Sequence, residues 1–240
     1  MVPCMRFPSP LIEATLIRRY KRFLADVTLA DGTVVTAHCA NPGSMMGLKE
    51  PGSQVFLAPA VNPKSKLRYS LELIRADLPG GPQLVAINTS NPNRLAEKAI
   101  LGGQIPELAG YSTFKREVKY SENSRVDILL SDENKPACFV EVKNCHLMRK
   151  AGLAEFPDSV TTRGAKHLKD LSNEIAAGNR AVMLYIIQMQ ASAFALASDL
   201  DPVYVKAFAE ARAAGVEAIA YTCHVGMQGI AVDKRVNIVF

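Results

Sequence analysis

The sequence has no run approaching the roughly 18 apolar residues of a membrane-spanning helix, although 48% of its residues are hydrophobic. The opening stretch MVPCMRFPSP is broken by prolines and lacks the apolar core of a secretory signal. Five cysteines, an odd number, lie scattered without a CxxC pair. This excludes a readable disulfide framework or cysteine metal site and points to a reducing cytoplasm. There is no zinc finger or basic zipper, so sequence-specific reading of bases is not expected. At 240 residues the chain is one large domain or two small ones. Its net charge of +5 favours polyanionic partners, mildly.

The stretch Arg125 to Asn144, RVDILLSDENKPACFVEVKN, organises what is present. Val126, Ile128 and Leu130 alternate with Asp127 and Leu129. Val140 and Val142 alternate with Phe139, Glu141 and Lys143. Two such period-2 segments joined by the polar Ser131 to Pro136 form a β-hairpin, with a loop expected to be longer than two residues. If the hairpin folds about Asn134, Asp127 and Glu141 face each other on one side of the sheet, where opposed Cβ atoms stand about 5 Å apart. Carboxylates that close repel unless a proton or cation lies between them. Mg²⁺, with Mn²⁺ as a substitute, takes oxygen ligands of this kind and keeps waters for chemistry. Lys143 points to the same face, where an ammonium orients a water or stabilises charge developing on a phosphate. The alternative is a solvated strand edge. Asp, about a dozen residues and Glu-x-Lys resembles the metal site of the PD-(D/E)XK nuclease superfamily.

Before the hairpin, LIEATLIRRYKRFLADVTLADGTVVTAHC reads as strands with a turn at Asp31-Gly32. If the strand runs on through Phe23, Arg18, Tyr20 and Arg22 share one face and Arg19, Lys21 and Phe23 the other. Such a face tracks phosphates and stacks a base, or is simply solvated. Strands at 53–58, 68–75 and 84–87 follow, separated by turns at Pro51-Gly52, Asn62-Pro63 and Pro79 to Pro82. Short strands without helical periodicity suggest a small OB-like β-barrel, with Pro79 to Pro82 as the linker. Asn41-Pro42-Gly43-Ser44-Met45 reads as a turn. A helix over 93–101 stops at Gly102-Gly103. Its Glu97 is either a surface carboxylate or, by resemblance to the nuclease superfamily, a further acidic group near the metal.

Beyond the hairpin, residues 144–155 read as irregular. FPDSVTTRGAKHLKDLSNEIAAGN reads as a helix capped at Ser159, Thr161 or Thr162, with Ala165, Leu168, Leu171 and Ile175 buried. Arg163, Lys166, His167 and Lys169 fall in its first two turns, against the helix dipole, which favours phosphate binding there over a merely solvated face. AVMLYII, residues 181–187, reads as a strand buried on both faces, ending in Gln188 at a strand end where α/β sites form. A helix after Asp201-Pro202 is expected to bury Val205, Phe208 and Ala209.

NPGSM, the hairpin pair RVDILL and FVEVKN, FPDSVTTRGAKHLKDL and the run ending in Gln188 together resemble the sugar fermentation stimulation protein A family over nearly the full length. The resemblance implies a mixed α/β protein: an OB-like β-barrel followed by a nuclease-like α/β domain with a central mixed sheet, divided here at 1–82 and 83–240. It also implies non-specific DNA binding, without membrane association, and a link to sugar metabolism for which no residue offers a mechanism. Three functions compete: a DNA-binding protein, a Mg²⁺-dependent nuclease using Asp127, Glu141, Lys143, Glu97 and Gln188, and a regulator binding a sugar phosphate. The oligomeric state stays open, a homodimer included.

Overall fold

A computed structural model describes residues 4–62, 64–121 and 124–239. Pro63, read above in a turn, lies outside them, as does Phe240, which the alternation from Arg235 onward puts in a closing strand. The first strands are β1 (Met5–Arg6), β2 (Ile12–Tyr20), β3 (Leu24–Leu29), β4 (Val34–His38), β5 (Gln54–Pro59), β6 (Tyr69–Leu78) and β7 (Gly81–Ala86). Strands β2 to β7 form a six-stranded sheet in the order β4-β3-β2-β5-β6-β7, which β4 and β6 close into a barrel. The alternation of Ala14 and Leu16, of Ala25 and Val27, and of Val55 and Leu57 fills its interior. Asp31 caps its turn by accepting the Thr33 N–H at 2.9 Å. Pro79 to Pro82 is not a linker. It makes the hairpin between β6 and β7, with Gly80 and Gly81 at positive φ, so the barrel continues to Ala86 rather than ending at residue 82.

Helix α1 (Asn91–Leu101) leads to β8 (Thr113–Ser121), β9 (Ser124–Asp132) and β10 (Lys135–Cys145). Then come β11 (Leu147–Lys150), β12 (Leu153–Phe156), α2 (Thr162–Ala176), β13 (Arg180–Ile187), β14 (Ala193–Leu196), α3 (Pro202–Ala213), β15 (Glu217–Gly226) and β16 (Gly229–Val239). The second sheet runs β11-β12-β14-β16-β15-β13-β10-β9-β8, with β1 against β16. The chain is therefore mixed α/β, an OB-like barrel followed by a large mixed sheet, as its patterning and resemblance imply. Residues 144–155 are not irregular: β11 and β12 form a hairpin in which Arg149 bonds Glu155 and Asp199 instead of standing in solvent.

Side chains on β13 go alternately to two cores, which explains its unbroken apolar run. Val182, Leu184 and Ile186 meet Leu95, Ala96, Ala99 and Ile100 of α1. Ala181, Met183 and Tyr185 meet Leu168 and Leu171 of α2 and Tyr204 and Phe208 of α3. On α3 the buried residues are Tyr204, Phe208 and Ala211: Phe208 is buried as expected, while Val205 and Ala209, each one residue past a buried position, are half-buried and exposed. On α2 they are Gly164, His167, Leu168 and Leu171, with Ala165 and Ile175 half-buried. No helix among the described residues is long and apolar enough to cross a membrane.

The core around β13 is continuous with the barrel interior, so the two halves share apolar contact. Their register is set by a polar chain. The Gln188 side-chain amide donates to the Asn88 carbonyl (3.2 Å) and to Asn144 Oδ1 (2.8 Å). That orients Asn144 Nδ2 toward His146 Nδ1 (2.9 Å) and leaves His146 Nε2 facing Asp158 Oδ2 at 3.5 Å. Asp158 reaches the barrel: its Oδ2 accepts the Met45 N–H (3.1 Å) and its carbonyl accepts the Ser44 hydroxyl (2.8 Å). A Cβ on Gly43 would collide with that carboxylate, so the NPGSM turn needs its glycine. Burial alone would raise the Asp158 carboxyl, but His146 and the Met45 N–H outweigh it and hold it well below the usual range.

Replacing Asp158 with Ala strands the Met45 N–H and removes the carboxylate that faces His146. We expect a loss of about 2–3 kcal/mol at pH 7, measured by urea unfolding. A depressed carboxyl stabilises the fold fully above its unfolded pKa, about 3.9, and that stabilisation is lost as pH falls through the lower folded value. Wild type and Asp158→Ala should therefore converge in acid.

Candidate metal and nucleic-acid site

The hairpin of β9 and β10 turns over Glu133 and Asn134 alone, tighter than expected, because a register shift between Lys135 and Cys138 accommodates Pro136, which has no N–H to give the ladder. Beyond that shift Cys138 pairs with Leu130, Phe139 with Leu129 and Val140 with Ile128. One step further this register sets Glu141 opposite Asp127. The strands part here, and the Val142 N–H donates to Asp127 Oδ2 at 2.8 Å. Asp127 Oδ1 accepts from Asn93 Nδ2 of α1 at 2.7 Å.

Glu141 is 2% exposed, on a strand flanked by β9 and β13. Its Oε1 receives Lys143 Nζ at 2.7 Å and His167 Nδ1. Arg163 Nε donates to His167 Nε2 at 3.2 Å, so the His167 proton sits on Nδ1 and points at Glu141. Burial works to raise the Glu141 carboxyl, but Lys143 and then His167 prevail and lower it. Asp127 goes the other way: burial raises it, the Glu141 charge raises it further, and the Val142 N–H, Lys143 and Asn93 only partly offset them. Glu141 Oε2 is buried with no partner. The Tyr120 hydroxyl is likewise buried and unpartnered, and the charge of Glu141 helps burial push its pKa up.

An orphaned carboxylate oxygen beside a second carboxylate suits a hard divalent cation that completes its shell with water or phosphate oxygens. Asp127 and Glu141 are the groups that would hold it. Among the described residues no cluster of three or more His, Cys, Asp or Glu side chains is gathered for a metal. Glu97 does not join the pair: it bonds Arg116 at 3.1 Å, one helical turn beyond Asn93. Gln188 is fully buried in the polar chain between the two halves, with its Oε1 unpartnered.

The expected phosphate-binding residues divide. The strand face Arg18-Tyr20-Arg22 does not form, because β2 ends at Tyr20 and Lys21 and Arg22 take positive φ in the turn to β3. Arg18 is exposed but bonded to Asp26 at 2.9 Å, with its guanidinium 4.8 Å from the Tyr20 ring centre. Tyr20 donates to the same Asp26. Arg19 turns inward, giving one nitrogen to the carbonyls of Arg22, Asn41 and Gly43. Arg22 reaches the Pro42 carbonyl only at 3.4 Å and walls a cleft between barrel and α2. Helix α2 is capped by Thr161, whose hydroxyl accepts the Gly164 N–H. Lys166 is held by Asp170 at 2.8 Å and by Ser124, which relieves the charge at this end of the helix. His167 is buried, facing Glu141 instead of solvent. Arg163 and Lys169 are exposed. Asn93, His146 and Asp158 were not legible as site or joint residues; the signal available for Asn93 was its place in the first turn of the helix preceding the hairpin.

Because folding raises the Asp127 carboxyl, the folded chain holds its proton to higher pH than the unfolded chain. Stability therefore falls as pH rises from about 3.9 through the folded value and stays lower above it. Asp127→Asn in chelator should raise Tm at pH 7 by about 2–4 °C, the shift that 1 kcal/mol gives in a chain of this size. That gain should vanish below pH 3.9 in scanning calorimetry.

Residues 90–229 match the sugar fermentation stimulation protein RE domain and residues 17–87 the SfsA N-terminal OB domain. The chain is 57% identical over 234 residues to the sugar fermentation stimulation protein homolog of Methylorubrum populi, covering 98% of this chain and 95% of the relative. It is 58% identical over 233 residues to that of Azorhizobium caulinodans, covering 97% and 98%. The solved structure of Pyrococcus furiosus SfsA in complex with Ca²⁺ superposes with a TM-score of 0.87 at 29% identity, covering all of both chains. Barrel, mixed sheet and sequence agree, and the chain belongs to the sugar fermentation stimulation protein family.

Proposed function

We propose that the protein binds nucleic acid without sequence preference and uses Asp127, Glu141 and Lys143 as a divalent-metal centre that hydrolyses phosphodiesters. The observation that carries this reading is Glu141: a carboxylate in a sheet interior, with one oxygen satisfied by Lys143 and His167 and the other left over, opposite a second carboxylate. A purely structural ion pair has no use for the leftover oxygen, and leaving one unpaired costs about 1–3 kcal/mol. A bound Mg²⁺ or Mn²⁺ supplies Lewis acidity toward a phosphate oxygen and lowers the pKa of its water. The Ca²⁺ complex of the Pyrococcus furiosus relative supports a hard, oxygen-seeking ion.

The chain's own groups have distinct tasks. Asp127 and Glu141 would hold the ion. Lys143, beside Glu141, orients the attacking water or offsets charge on the phosphorane oxygens. Asn93 and the Val142 N–H fix the Asp127 carboxylate, and Arg163 fixes the tautomer of His167. Reduced cysteines, four of the five buried, agree with a cytoplasmic setting.

Purified protein is incubated with single- and double-stranded DNA in Mg²⁺, Mn²⁺ or chelator, beside Asp127→Asn and Lys143→Ala. Metal-dependent cutting should fall by about 100-fold or more in both variants while retention of DNA persists. Mg²⁺ should raise the Tm of wild type but not of Asp127→Asn. No cutting by any form, together with a Tm indifferent to Mg²⁺, would remove the metal centre and leave a binding protein.

A further inference from the structure

The cleft between barrel and α2 holds about 480 Å³ and is lined by Arg22 and Thr89 from the barrel side of the chain and by Asn144, Asp158 and Arg163 from beyond it. The next residue, Ser90, opens a second cleft of about 530 Å³, walled by Arg94, Glu97 and Lys98 of α1 and by Arg116 of β8. Consecutive residues, Thr89 and Ser90, thus line the two clefts just before α1 begins. The carboxylate site is tied to both. Arg163 touches it through His167 and Glu141, and Asn93, beside Arg94, touches it through Asp127.

Charge follows the same line. Arg94 and Lys98 stand one helical turn apart on the exposed side of α1, and neither has a hydrogen-bond or ion-pair partner among the described residues. Arg116 is neutralised by Glu97, so the uncompensated cations of the second cleft are these two. In the first cleft Arg163 is exposed and Arg22 has only a long contact to the Pro42 carbonyl. The acidic residues of the two clefts are already engaged, Asp158 by His146 and Glu97 by Arg116, and exposed cations in two clefts that are each linked to the carboxylate site fit a phosphate backbone running past it. Each cleft has the volume of a small-ligand pocket, room for a nucleotide or two and not for a duplex.

We propose that a single nucleic-acid strand crosses the molecule through both clefts, its backbone held by Arg22 and Arg163 before the carboxylate site and by Arg94 and Lys98 after it. This rests on reading that site as one that handles phosphodiesters. It names the substrate as single-stranded and adds two α1 residues to the binding surface. Arg163 joins the two tasks, since the guanidinium that meets the backbone also holds His167 against Glu141.

The test is fluorescence anisotropy on the full chain in chelator, so that nothing is cut, with single strands of DNA and RNA from about 4 to about 16 nucleotides and a duplex for comparison. Arg94→Ala/Lys98→Ala and Arg22→Ala/Arg163→Ala should each weaken binding of the longer single strand by about tenfold and reduce the slope of log K against log salt by about 1.4, or 0.7 per lost phosphate contact. Strands too short to span both clefts should respond to one pair and not the other. Lys206→Ala, on the exposed face of α3, should bind as wild type does. Equal binding of RNA and DNA supports a backbone path. Tighter binding of the duplex than of the single strand, or an Arg94→Ala/Lys98→Ala protein indistinguishable from wild type, overturns it. Cutting is scored separately with Mg²⁺. A protein that binds through both clefts and never cuts keeps this path and loses the hydrolysis; one that cuts but ignores Arg94 and Lys98 does the reverse.

Discussion

A carboxylate taken out of water in a wide sheet needs positive charge brought to it, and much of the second domain is arranged around that need at Glu141. Lys143 comes with the strand, two residues on, at no cost in topology. His167 has to be delivered by another element, so the position of α2 matters to the site as well as to the core. The Thr161 cap starts that helix, and Leu168 and Leu171 press it onto β10 and β13. The result is asymmetric. One oxygen of Glu141 is doubly held and the other is buried with no hydrogen-bond partner.

The barrel serves this site by placement. Its NPGSM turn is anchored from within by Arg19, which spends its guanidinium on three backbone carbonyls, and from outside by Asp158. Apolar burial supplies most of the attraction between the halves, but it is indifferent to direction. The chain from Asn88 through Gln188, Asn144 and His146 to Asp158 supplies direction, because each of its hydrogen bonds accepts only a narrow range of geometry. Arg22 and Arg163, from the two halves, therefore line one cleft.

What could be read in advance followed from local alternation. The strands of the barrel, the two-faced strand β13 and the opposition of Asp127 to Glu141 all rest on a side-chain period of two, which a sequence states directly. What could not be read depended on where the chain turns and on who meets whom. RRYKRF looks like continuous strand, and only the positive φ of Lys21 and Arg22 breaks its face. His167 sits among Arg163, Lys166 and Lys169 in sequence, yet the 100° step of the helix sends it to the buried side. Pro79 to Pro82 has the composition of a linker as much as of a hairpin, and strand pairing decides between them. Tight pairing of β11 with β12 rescues a segment whose mixed charges read as loop, because Arg149 finds Glu155 across the ladder.

Met5 and Arg6 lie against Ile230 and Gly229 of the last hairpin, and Gly229 has no side chain because the Met5 carbonyl and Cys4 sulfur leave no room for one. The chain thus opens with residues whose partners lie more than 200 positions downstream. A ribosome adding about 5–20 residues per second would release the whole barrel well before those partners exist. Met5 is a core residue beside α1, so that core remains open on one side until Gly229 and Ile230 have been made. β1 is thus made before the barrel yet docks only after β16 has followed it, and that late docking closes the core beside α1.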